Sequence, residues 1–301
     1  MIKNFDELLE KVKEHPPKRV VIPAAHTMSA VYCATLAKEE GIGEFLLIGD
    51  KAQIIDYISM SEESLIDAFE IIDESDPEKC IELAVEAVLE NRADLILKGA
   101  TTTGQLMKGV LNKEKGLHTG NILSDVLVIE TQERLTLMTD GGIVLYPGVK
   151  EKISLINNAV AVAHKLENPC PNVALLCALE FENPKMPPTV DAAKITKMYK
   201  EGKITGCVVE GPLALDVAVS AHAAKIKKIN SPVAGNADIL IMPNIEAGNI
   251  FGKAMTYYAH LRVAHVVMGA KVPILITSRA DDAWTKLHSV ALGIICAQKE
   301  S

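Results

Sequence analysis

The chain has 301 residues, 49% of them hydrophobic and 23% charged, and a formal net charge of −8. That balance excludes disordered, collagen-like and small disulfide-framework classes, and the length suggests about two domains. The negative charge argues against nucleic acid or an anionic membrane as a partner, while a local basic cluster can still hold a small anion.

Charged Lys3, Asp6, Glu7 and Glu10 open the chain, which is not the pattern of a secretory leader. The apolar run Ala283–Ala297 is interrupted by Lys286 and His288 and falls short of a membrane span of about 18 residues. A cytoplasmic protein with no membrane partner is expected. Taken in order, Arg19–Ala24 reads as a buried strand and His26–Glu40 as a helix stopped at Gly41. Phe45–Ile48 is a strand, Pro77–Asn91 a helix starting near Asp76, and Asp94–Lys98 a strand leading through a Thr-rich loop into another helix. Strands Val126–Glu130 and Leu135–Thr139 precede a turn-rich break at Asp140-Gly141-Gly142. The pattern then restarts with helix 149–166, strand 172–177, helix 189–200, strand Gly206–Val209 and helix 213–224. Pro212 suits the first turn of that last helix. Strand Asp238–Met242, helix 246–262, strand-like Val266–Met268 and Pro273–Thr277, and helix 281–298 complete the chain. Strands alternating with crossover helices predict an α/β fold with a parallel sheet. One domain covers 1–140 and a second begins at 141, with 272–301 free to join either.

The six cysteines include no C-x-x-C pair and read as reduced core thiols. The eight histidines are scattered, and no metal site is expected. Neither G-x-G-x-x-G, a P-loop nor a G-x-S-x-G elbow is present, which disfavours dinucleotide dehydrogenases, P-loop kinases and serine hydrolases. Four strand ends carry polar residues at a helix start, where open α/β sheets gather ligands and helix N-termini attract anions. In Leu97–Gly104, Lys98 and three threonines form either a phosphate cradle or an N-capped turn. In Ile241–Ile250, Asn244 suits a cap, and Asn249 needs a partner within an apolar helix. Val209–Asp216 is a weaker signal. In Ile274–Asp282, Arg279 is one of five arginines in the chain and offers a planar fork for phosphate. The alternative is a capping Ser278 or Asp281 beside a surface ion pair.

Ala237–Asn249 and Pro273–Asp281 resemble signature segments of the phosphate acetyl/butyryltransferases, as do Val110–Glu114, Asn183–Pro187, Gly206–Asp216 and Asn230–Gly235. The likeness runs the length of the chain and is strongest to the butyryl branch. It implies an isocitrate/isopropylmalate-dehydrogenase-like α/β/α fold of two domains, 1–140 plus 272–301 and 141–271, with the active-site cleft between them. The implied reaction turns acyl-CoA and phosphate reversibly into acyl phosphate and CoA. No metal or redox cofactor takes part, CoA is a substrate, and the implied assembly is a homodimer or larger.

The resemblance implies that Ser278 orients the reacting thiol or carbonyl, and that Arg279 holds the phosphoryl group. Asp281 takes the thiol proton, because the aspartate expected seven residues after Ser278 is here Thr285. Lys98, Thr101 and Thr103 would line the phosphate side, with Asn244, Glu246, Asn249 and Lys253 contributing from the second domain. Lys108 and His118 stand where the family has arginine, and Gly252 where it commonly has tyrosine, so phosphate affinity or acyl choice is expected to differ. Acetyl or branched acyl transfer is the nearest alternative. A decarboxylating NAD-dependent dehydrogenase and a non-catalytic CoA-binding protein are more distant ones.

Overall fold

Amphipathic spacing begins at the first helix. Phe5, Leu8, Leu9 and Val12 fall on one buried face of α1 (Phe5–Lys13). The computed structural model describes residues 1–277 and 281–298. After α1 come β1 (Arg19–Pro23), α2 (Met28–Glu39), β2 (Glu44–Gly49), α3 (Lys51–Glu62), β3 (Glu70–Asp73), α4 (Pro77–Leu89), β4 (Leu95–Leu97) and α5 (Thr103–Val110). Side-chain caps set the helix starts: Thr27 for α2, Asp50 for α3, Asp76 for α4 and Thr102 for α5. Each accepts a backbone N–H that the first helical turn leaves unpaired.

The middle of the chain supplies β5 (Ser124–Glu130), β6 (Leu135–Thr139), α6 (Val149–Lys165), β7 (Asn172–Leu176), α7 (Pro187–Lys200) and β8 (Val208–Leu213). It continues with α8 (Leu215–Val219), α9 (Ala221–Ile226), β9 (Ile239–Ile241) and α10 (Ile245–Tyr257). β10 (Val263–Met268), β11 (Ile274–Leu275) and α11 (Ala283–Ala297) follow. Among the described residues no helix is long and apolar enough to cross a membrane.

The chain forms two compact units, Phe5–Asn121 with Ala264–Ser301, and Met1–Asn4 with Ile122–Val263. In the first unit the strand order is β3-β2-β1-β4-β11-β10, parallel except that β10 runs antiparallel to β11. α11 is apolar over most of its surface and buried from Lys286 through Cys296. Its His288 ring stacks on Phe5 of α1 at 4.5 Å between centroids. In the second unit the order is β5-β6-β9-β7-β8, parallel except for the β5–β6 hairpin. Inside it Arg134 reaches Asp238 at 3.0 Å, and Asp238 also accepts the Asn172 N–H.

Two expectations change. The sheets are mixed rather than wholly parallel, because β6 returns directly from β5 through a tight turn and β11 from β10 through residues 269–273, too short for a crossover helix. The helix expected over 213–224 is instead the end of β8 followed by two short helices that meet at Ser220. Pro212 lies in β8, the edge strand, where a missing N–H costs no ladder hydrogen bond. The units divide at 121/122 and 263/264, whereas the sequence reading divides the chain at 140/141 and 271/272. β5 and β6 lie with 122–263 because β6 pairs with β9.

Candidate active site

β1 and β4 are adjacent parallel strands, and both end where the Lys98 loop begins. Gly99 lies against the end of β1: an added Cβ would stand 2.9 Å from the Ala24 carbonyl carbon and closer still to two carbonyl oxygens. A side chain has no room there, so the loop turns tightly and its backbone folds around the Lys98 ammonium. That ammonium donates to the carbonyls of Thr101 (3.2 Å) and Gly99 (3.4 Å). Thr102 forms a capping box with Gln105 at the start of α5. Thr101 is 1% exposed, and its hydroxyl oxygen has no hydrogen-bond partner among the described residues. Thr103 is exposed in the first turn of α5.

A cavity of about 30 Å³ opens beside this loop. Lys98 and Thr277 line it together with Lys286, which the sequence reading passed over. Lys108 is exposed and lines a separate cavity of about 190 Å³ with residues of α4 and α5. His118 is exposed, its Nε2 is 3.1 Å from the Lys113 carbonyl, and its backbone bridges to Ala270. Neither Lys108 nor His118 lines the Lys98 cavity.

Ser278 and Arg279 lie outside the described residues. Of the two aspartates that follow, Asp282 is the cap of α11, accepting the Thr285 N–H at 2.7 Å. The alternative sequence reading places this cap at Ser278 or Asp281. Asp281 is instead held through its main chain, whose carbonyl accepts from Lys286 Nζ at 3.0 Å. Asp282→Ala is therefore expected to cost about 1 kcal/mol of stability with kcat unchanged, measured by thermal unfolding and turnover. Asp281→Asn, if Asp281 handles the proton, lowers kcat with little change in Tm.

In the second unit, Asn244 caps α10 by accepting the Ala247 N–H at 3.0 Å. Glu246 is exposed and accepts the Tyr146 hydroxyl proton. That bond lowers the Glu246 carboxyl below its ordinary value and raises the Tyr146 phenol. Asn249 donates through Nδ2 to the Gly141 carbonyl at 3.0 Å, which supplies the partner its position demands. Glu246, Asn249 and exposed Lys253 are spaced i, i+3, i+7 along one helix face. Gly252 packs against Leu127, which would stand 3.0 Å from an added Cβ.

The carbonyl that holds Asn249 is set by Asp140, which the sequence reading took only as part of a turn. Its carboxylate accepts from the N–H groups of Gly142 (2.6 Å), Ile143 (2.8 Å) and Asp125 (3.0 Å). Burial first, and then the neighbouring Asp125 carboxylate, push Asp140 up to about 6 despite those bonds. No short-sequence signal marks such a group, because its burial depends on α10 packing over the turn.

Burial raises the thiols of Cys33 to about 12 and of Cys177 and Cys207 to about 11, far from a reactive thiolate. Among the described residues no group of three or more His, Cys, Asp or Glu is placed to hold a metal ion.

Three known proteins resemble the chain along nearly its whole length. The chain is 42% identical to the phosphate butyryltransferase of Clostridium acetobutylicum over 299 residues, 99% of each chain. It is 40% identical to the phosphate acetyltransferase of Thermotoga maritima over 97% of this chain and 100% of that one. A branched-chain phosphotransacylase from Enterococcus faecalis superposes with a TM-score of 0.84 at 30% identity, covering 94% of this chain and 100% of that one. The family described as phosphate acetyl/butaryl transferase matches residues 77–294. That span takes in the Lys98 loop, the Asp140 turn, α10 and the strand end before Ser278, and the chain belongs to this family.

Proposed function

We propose that the protein transfers a short-chain acyl group, butyryl foremost, reversibly between CoA and inorganic phosphate. The observation that carries this is the end-to-end 42% identity with a phosphate butyryltransferase. In the forward direction a phosphate oxygen attacks the thioester carbonyl, the C–S bond breaks as the new C–O bond forms, and the CoA thiolate leaves and takes up a proton. Holding both substrates in register supplies much of the acceleration.

In this reading Arg279 pairs with the phosphoryl oxygens and Ser278 orients the thioester. Asp281 exchanges the thiol proton, a modest task because thiols titrate near ~8.5. Lys98, Thr101 and Thr103 serve the phosphate, and Lys108 and His118 take the places of arginines on substrate phosphates. Asn244 fixes the start of α10, while Glu246, Asn249 and Lys253 offer polar contacts along its exposed face. CoA is a substrate, and the reaction as written needs neither a metal nor a redox cofactor. The dehydrogenase-like fold type and a homodimeric or larger assembly belong to the same proposal, supported by family membership.

Acetyl or branched acyl groups are the second reading, supported by the acetyltransferase and branched-chain relatives. One methylene in a pocket is worth only ~1–3 kcal/mol, so the acyl preference is a matter of degree. The test is phosphate-dependent thiol release from acetyl-, propionyl-, butyryl- and isobutyryl-CoA. The highest kcat/KM is expected with butyryl-CoA. Thiol release from none of the four would refute the proposal.

A further inference from the structure

Lys286 lies on α11, is 6% exposed, and makes no ion pair among the described residues. Its ammonium donates to the Asp281 carbonyl, and among the described residues this is its one hydrogen bond, out of the three an ammonium can donate. The nearby Cys33 thiol feels the Lys286 charge, yet burial holds it up near 12, so it remains neutral and provides no counter-charge. A buried cation without an anion is costly, and here a second lysine stands on the same small cavity. Lys98, Lys286, Thr27, Ser29, Thr277 and the close-packed Gly99 line it, and among the described residues no carboxylate does. Thr27 and Ser29 belong to the start of the twelve-residue helix α2, whose dipole adds positive potential. The two described charged residues that line this cavity therefore have the same sign.

We infer that Lys286 is a further phosphate-binding residue, completing with Lys98 a pocket for the oxygens of the transferred phosphoryl group. The inference rests on the acyl-transfer reading for the identity of the anion. At about 30 Å³ the pocket accepts roughly two water-sized groups. It takes phosphoryl oxygens and leaves the acyl carbon outside, where attack occurs. The position also suits the chain order: Thr277 lines the pocket immediately before Ser278-Arg279, and Lys286 fastens the main chain on the far side at Asp281.

The test is Lys286→Met, which keeps the length of the side chain and removes the charge, beside Lys286→Arg. The methionine variant is expected to raise the phosphate KM at least tenfold while the butyryl-CoA KM stays within twofold, with arginine recovering part of the loss. Added phosphate should raise the Tm of the wild type and leave that of the methionine variant unmoved. If the methionine variant does not fold, Lys286→Gln is measured in the same way. A lowered Tm with an unaltered phosphate KM and an intact phosphate-induced Tm rise would overturn the inference and reduce Lys286 to an anchor for Asp281. The two readings fail separately. A wild type that releases no CoA but gains Tm from phosphate through Lys286 loses the acyl-transfer reading and keeps the anion site. An active wild type whose phosphate binding ignores Lys286 does the opposite, and a wild type with neither response overturns both.

Discussion

Arg279→Ala is expected to lower kcat by roughly 100- to 1000-fold while Tm stays within a degree or two of the wild type. In the reverse of the proposed reaction, attack by the CoA thiolate builds charge on the acyl oxygen, and that charge passes to the phosphoryl oxygens as the C–O bond breaks. The forward reaction crosses the same transition state. A planar, permanently charged fork facing those oxygens acts most strongly in the transition state. Losing one such donor costs ~2.7–4 kcal/mol by analogy with oxyanion-hole donors, which is the stated loss of rate. Lysine restores the charge without the bidentate geometry, so Arg279→Lys recovers only part. Steady-state kinetics and thermal unfolding of both variants check this. An alanine variant with near-normal turnover would place Arg279 outside the chemistry.

Gly248→Ala is the second large expectation, and it acts through the fold. At this glycine α10 passes so close to the Asp140-Gly141 turn that an added Cβ would stand 2.9 Å from both the Asp140 carbonyl carbon and the Gly141 Cα. Those contacts are backbone and cannot rotate away, so the helix must shift from the turn. Overpacking of this kind costs ~3 kcal/mol, the upper end of the usual range, which corresponds to a Tm loss of roughly 10 °C. The same shift stretches the Asn249–Gly141 hydrogen bond, so activity should fall further than the unfolded fraction explains. Asn249→Ala, which leaves the backbone fit alone, is expected to reduce activity with a much smaller Tm loss. Thermal unfolding and kcat/KM measured on the same preparations separate the two effects. An alanine variant at position 248 with wild-type Tm would contradict the packing argument.

The parts of this protein legible from its sequence are those specified by local chemistry. The strand Arg19–Ala24 corresponds to β1, and the Pro77–Asn91 helix to α4 with its Asp76 cap, because apolar runs, proline at the first turn and capping side chains act within a few residues. Asn244 as a cap was legible for the same reason. Helix α1 and edge strand β3 were missed: the first is nine residues of mostly charged sequence with four apolar anchors, and the second has a half-exposed, acidic composition. Pro212 misled because proline suits both a first helical turn and an edge strand, and edge position is a property of the sheet. The candidate site divides in the same way. Lys98 and its threonines stood out beside a strand end. Lys286 did not, since a lysine within an apolar helix reads as a solvated charge until α2 and β4 are packed over it. Asp140 likewise becomes a buried, high-pKa carboxyl only through tertiary contact with Asp125 and α10.

The central claim concerns the product. Incubating the protein with butyryl-CoA and inorganic phosphate and following the reaction by phosphorus NMR should show butyryl phosphate appearing with one free CoA per molecule formed. Adding excess CoA should return it to butyryl-CoA and phosphate. Release of free butyrate without acyl phosphate, or an unchanged mixture under conditions where the protein is folded, would contradict the account.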